Sequence, residues 1–240
     1  MRLFSTLVLF VLVCTPVLHA SAENLQRSYE PNSYLRQDLE KKGISIEKWR
    51  FCEAIRRLDT EQVFKSLSEG ADPNGTCDVI GGSSIPALFL ALSRSGAKTE
   101  IVSALIGKGA NVNARYTPTF GKGSFFMNMI DATQNADYFP LYYAANYTNP
   151  EVVELLIHLG ADITYRTSVH GATALFPVTE IEIAKVLLKH GVKINDLDAN
   201  GRTVLRKIKQ DTLSQLSEKH HLRPKIEAYV AWLVSQGAHE

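Results

Sequence analysis

Apolar residues recur along the chain in short clusters at helical spacing, and each cluster runs into a glycine. Val63, Phe64 and Leu67 precede Gly70, and Ile101, Val102, Leu105 and Ile106 precede Gly109. Val152, Val153, Leu155, Leu156 and Ile157 precede Gly160, and Ile183, Val186, Leu187 and Leu188 precede Gly191. Such spacing marks one buried helix face, and a glycine just beyond it supplies a left-handed stop. The pattern predicts helices over 60–68, 99–107, 150–159 and 180–189. A shorter apolar stretch precedes each one, predicting first helices over 46–58, 87–93, 141–146 and 174–178. A last pair begins near Val204, with its second helix over 224–235. A further helix over 33–42 carries Tyr34, Leu35 and Leu39, and Ser45 is placed to cap the helix after it.

The glycine belongs to a recurring signature. It reads Gly70-Ala71-Asp72-Pro73-Asn74, Gly109-Ala110-Asn111-Val112-Asn113, Gly160-Ala161-Asp162-Ile163-Thr164 and Gly191-Val192-Lys193-Ile194-Asn195, with a truncated Gly237-Ala238 at the end. No single helix pair hides its apolar face alone, so repetition of this kind predicts a stack of pairs. A second motif opens the first helices: Phe139-Pro140-Leu141-Tyr142-Tyr143-Ala144-Ala145 and, weaker, Pro86-Ala87-Leu88-Phe89-Leu90-Ala91-Leu92. Further copies are Gly171-Ala172-Thr173-Ala174-Leu175 and Asp198-Ala199-Asn200-Gly201-Arg202-Thr203-Val204-Leu205.

On these residues the chain resembles an ankyrin-repeat protein over about 47–240, most specifically from Glu151 to Asp162. The resemblance implies an all-α fold: an ankyrin-repeat solenoid of about five helix-pair repeats with short hairpin turns and an N-terminal helical cap. The expected organisation is a signal peptide over 1–22, an N-terminal extension and cap over 23–46, and a repeat domain over 47–240. Its repeats fall at about 47–76, 77–113, 114–164, 165–195 and 196–240. Successive signature glycines are spaced 39, 51, 31 and 46 residues apart, against a family repeat of about 33. The second repeat therefore carries an insertion, placed at 78–84. The third carries the longest, between Ala114 and Phe139, the fourth is short at its first helix, and the last carries an insertion that includes Lys219-His220-His221-Leu222-Arg223. The family's turn histidine is replaced by Phe89, Tyr142, Phe176 and Arg206, so packing must hold these turns.

The ends and the charge narrow the setting. Arg2, an apolar run over 3–18 and Ala20-Ser21-Ala22 form a cleavable leader pattern, and the run is short of the ~20 residues of a spanning helix. Without Arg2 the chain carries 25 basic and 25 acidic residues, which leaves no footprint for nucleic acid or an anionic membrane. Export, to a bacterial periplasm first and to full secretion second, puts Cys52 and Cys77 where pairing is allowed. A disulfide and two buried free thiols are both open at this point.

Function is expected to be binding rather than catalysis, with no cofactor and no metal. The residues expected to touch a partner are the aromatic residues and methionine of the long insertion, Tyr116, Phe120, Phe125, Phe126 and Met127, with Tyr138 flanking it. To these are added Ser93, Arg94, Asn146 and Tyr147 on the first-helix face, and Asn200 and Arg202 at a hairpin tip. Aromatic residues and methionine are enriched in interface cores, although the same rings can instead fold back on their own repeat. The resemblance to exported bacterial ankyrin proteins implies one protein partner, gripped by a chain that is a monomer on its own. It suggests an immunity-type inhibitor of a toxic periplasmic effector. Alternatives are an accessory to a periplasmic catalase in oxidative-stress defence and a secreted, host-directed effector.

Overall fold

The structure is a computed structural model, and it describes residues 29–79, 83–93, 96–117, 137–218 and 220–240. Ten α-helices are found among these: α1 (Ser33–Lys41), α2 (Ile46–Arg57), α3 (Thr60–Ser68), α4 (Ala87–Leu92), α5 (Thr99–Gly107), α6 (Pro140–Tyr147), α7 (Pro150–His158), α8 (Ile181–Lys189), α9 (Val204–Lys207) and α10 (Arg223–Ser235). They pack as pairs, α2 with α3, α4 with α5, and α6 with α7. The pairs stack in two rows. The first-helix row runs α2, α4, α6, and the second runs α3, α5, α7, α8. A mainly helical array of paired helices forms, as expected from the sequence.

The core lies between neighbouring pairs. In α5, α7 and α8 the same three positions are buried: Ile101, Val102, Leu105; Val152, Val153, Leu156; Ile183, Ala184, Leu187. Helix starts are capped where the chain offers a short polar side chain. Ser45 Oγ accepts from Lys48 N–H at 3.1 Å, Asp59 Oδ1 from Gln62 at 3.1 Å and Asn149 Oδ1 from Val152 at 3.0 Å. Each such cap satisfies an amide that the helix itself cannot reach.

Helix ends are equally regular. Gly160 sits at φ 93°, a conformation glycine adopts without a Cβ clash. The chain then folds back, with Gly160 N–H donating to Ile157 C=O at 3.1 Å and Ala161 N–H to Leu156 C=O at 2.9 Å. That is the Schellman closure, and it repeats with Ala71, Ala110, Val192 and Ala238 as the second donor.

Three elements depart from a uniform stack. First, a two-stranded antiparallel ribbon, β1 (Thr76–Val79) and β2 (Ser83–Pro86), occupies the second-repeat insertion, so the fold is helical with one ribbon added. Cys77 of β1 is disulfide-bonded to Cys52 of α2 (Cα–Cα 5.4 Å), and both residues are buried. Second, the helix expected over 174–178 does not form. Phe176 N–H bonds Thr173 C=O at 3.1 Å and Val178 N–H bonds Leu175 C=O at 3.2 Å, the spacing of successive turns. Pro177 removes the next donor and restrains Phe176 away from helical angles. Third, α9 continues through a π-helical turn (Ile208–Thr212) and a 3-10 turn (Leu213–Gln215), which take up part of the last insertion.

A candidate partner-binding groove on the first-helix row

Helix α6 sets the site. Phe139 is extended (φ −121°, ψ 156°) because Pro140 follows it, and Pro140 then begins the helix. Just before it, Tyr138 and Tyr116 form a two-way bridge, with N–H to C=O distances of 2.9 and 2.8 Å. The bridge closes the base of the long insertion and gathers the aromatic residues. Phe89 lies 5.1 Å from the Tyr116 ring and 5.4 Å from Tyr143, Tyr143 lies 4.8 Å from Tyr147, and Tyr138 lies 5.5 Å from Tyr142. Such tilted and edge-on pairs add to burial. Phe89 and Tyr142, two of the four residues that replace the expected turn histidine, both take part in these contacts.

A groove of about 300 Å³ opens beside this cluster. One wall is Tyr142, Asn146 and Tyr147 of α6, with Tyr138 at its end. The floor is Phe176 to Thr179, in the place of the missing helix, and the far wall is Lys207, Ile208 and Thr212 of α9 and its π turn. Burial pushes the hydroxyls of Tyr143 and Tyr147 above the usual phenol range, and a hydrogen bond from Asn146 partly offsets this at Tyr147. These phenols therefore stay protonated at neutral pH. They serve as hydrogen-bonding groups and not as bases.

The sequence-derived residues fall in three groups. Asn146 is exposed, Tyr147 is half-buried, and both line the groove. Tyr138 also lines the groove but is only 7% exposed, and Tyr116 is half-buried against Phe89, so of the two arrangements open for these rings both take the one packed on the repeats. They fold back because the Tyr116–Tyr138 bridge pins both to the stack. Ser93 closes α4 by donating from Oγ to Leu90 C=O at 2.8 Å, and it does not line the groove. Asn200 is exposed at the hairpin tip, held by Asp198 Oδ1 at 2.9 Å. Arg202 is engaged within the chain, 2.9 Å from Asp198 and 3.0 Å from Asp211. Burial works against ionisation of Asp198. The amides of Arg202 and Asn200 and the Arg202 guanidinium outweigh it and hold the carboxyl below the usual range. Arg94, Phe120, Phe125, Phe126 and Met127 lie outside the described residues.

Sequence reasoning missed the floor and the far wall. Pro177 inside a stretch read as helical was the available signal for the floor. The far wall lies in the last insertion, where the repeat pattern offers no guide. A second groove of about 530 Å³ lies at the N-terminal end of the stack, lined by both acidic and basic residues such as Glu47, Lys48, Arg50 and Glu69. It lies on the first repeat and takes in Cys52 and Thr76, beside the disulfide and the ribbon, whereas the tyrosine-lined groove gathers three separate departures from regular stacking. Among the described residues no cluster of three His, Cys, Asp or Glu side chains is arranged to hold a metal ion, and no helix is long and apolar enough to cross a membrane.

A family model described as ankyrin repeats (3 copies) matches residues 51–167. A search of curated proteins found no match to the chain. The matched segment ends between the two walls of the groove. Helix α6 lies inside it, and 176–179 and 207–212 lie beyond it.

Proposed function

We propose, from the premise of ankyrin repeats over residues 51–167, that the chain is an exported protein-binding module whose partner sits in the tyrosine-lined groove. Ankyrin stacks are typically binding scaffolds, since a repeated array presents a long surface and buries little that could do chemistry. The observation that carries the location is convergence. The missing first helix, the π turn and the tyrosine in place of the turn histidine are separate departures from a regular repeat, and all three line one groove. Local rules are broken most often where a site requires it, and π turns are frequent at such places.

The leader pattern over 1–22 supports export. So does the buried Cys52–Cys77 disulfide, because such bonds persist in oxidising compartments. The specific role we propose is periplasmic immunity: the chain masks a toxic effector by covering about 800 Å² of its surface, the ordinary scale of a stable complex. The test is capture from periplasmic extract on the immobilised chain, in parallel with Tyr147→Ala and Asn146→Ala forms. One stoichiometric partner, retained by the native chain and lost from both variants at unchanged melting temperature, is the expected result. Absence of any stoichiometric partner, or equal capture by the variants, sinks the proposal.

A further inference from the structure

The charges around the groove say what kind of partner segment it takes. Among the described residues that line it, Lys207 is the one basic side chain and none is a carboxylate. Asp211 is the one anion paired with Lys207 among the described residues, with 3.6 Å between them. Both Asp211 oxygens are held closer by Arg202 Nη1, at 3.0 and 3.2 Å, which turns that carboxylate toward the hairpin base. Lys207, its side chain 27% exposed, keeps this longer pair with Asp211, and the other polar side chains that line the groove are neutral hydroxyls and an amide. Asn146 and Tyr147 line the same groove, and each side chain carries a hydrogen-bond donor.

An ammonium plus hydroxyl donors, with aromatic faces beside them, is complementary to a carboxylate attached to an apolar group. We infer that the groove receives an extended acidic segment of the partner protein, an Asp or Glu next to an aromatic or branched apolar residue. The carboxylate meets Lys207 and the Tyr147 hydroxyl, and the apolar neighbour lies against Tyr142 and Phe176. A cationic ligand in an aromatic cage is disfavoured, because it would sit against Lys207. The volume of about 300 Å³ is at the lower end for ligand pockets, enough for a pair of adjacent side chains. The inference rests on the protein-binding reading above and adds the chemistry of the bound segment.

The experiment is selection of a random 12-residue peptide library on the purified chain, followed by titration of synthetic binders. Each binder is titrated against the native chain, Lys207→Gln and Tyr147→Phe, the latter removing only the hydroxyl. Binders that depend on the groove are expected to carry the acid–apolar pair. Replacing their Asp by Asn or Glu by Gln should weaken binding at least tenfold, as should Lys207→Gln on the protein. The two changes together should cost less than their sum, and affinity should fall as salt rises. Groove-dependent binders without a carboxylate, or binders indifferent to Lys207→Gln, overturn the inference and leave the protein-binding reading to its own capture test. A library that yields no groove-dependent binder overturns it as well.

Discussion

At the scale of single residues, the last position of the glycine signature joins neighbouring repeats. Asn74 donates from Nδ2 to Gly109 C=O at 2.8 Å and accepts from Asn111 N–H at 2.9 Å. Asn113 does the same to Gly160 and Asp162, at 3.0 and 2.8 Å, and Asn195 to Gly237 and His239, at 3.0 and 3.1 Å. Asparagine suits this place because one short side chain carries both a donor and an acceptor. An Asn113→Ala substitution removes two inter-repeat bonds and strands a carbonyl and an amide near the joint. Each such bond is worth about 1 kcal/mol net, so a loss of roughly 1–2 kcal/mol is expected. Urea melting checks this, and a midpoint unchanged from the native chain would mean that water replaces the ladder at no cost. The recurring asparagine was visible in the sequence as part of a pattern. Its role was not, because the groups it bonds lie in the next repeat, 35 or more positions away.

At the scale of elements, legibility followed locality. Helices whose apolar faces and closing glycines are written within a dozen residues, such as Thr60–Ser68 and Thr99–Gly107, appear at the expected bounds. The element that failed, over 174–178, has the right apolar positions, but Pro177 denies it a continuous ladder. The ribbon β1–β2 was legible only as extra length, since strand pairing and the disulfide that anchors it are set by a contact across 25 positions. That contact ties β1 to α2 in the first repeat, at the N-terminal end of the stack. Closing a loop of this length stabilises by roughly 3–4 kcal/mol in the chain-entropy view. The double substitution Cys52→Ala with Cys77→Ala is therefore expected to lower stability by about that amount. Hydrogen exchange should show the loss of protection centred on α2 and the ribbon. Uniform loss across α7 and α8 would contradict a local clamp.

For the whole molecule, the ladder has one gap, and it falls where the ankyrin-matched segment ends. Thr164 stands where the other three signatures have asparagine, and its amide and hydroxyl both bond Asp162, at 2.8 and 2.6 Å, within its own turn. Nothing from Thr164 reaches Gly191 or Lys193 of the next signature. The joint is instead spanned by Arg166, which donates to Leu197 C=O at 2.8 Å and pairs with Asp196 at 2.9 Å. The two walls of the groove thus stand on repeats coupled by an arginine on the hairpin side, without an asparagine rung behind it. In a repeat array, stability is carried by such nearest-neighbour interfaces, so a missing rung weakens cooperation between the parts on either side. The substitution Thr164→Asn should supply it. The backbone there already follows the signature turn, and one side chain would then serve Gly191 C=O and Lys193 N–H. A gain of about 1 kcal/mol is expected, or roughly 2–4 °C in melting temperature for a domain of this size. Amide protection in α8 and α10 should rise with it. A chain that melts at the native temperature, with unchanged exchange beyond residue 190, would show that the arginine bridge already couples the two parts fully.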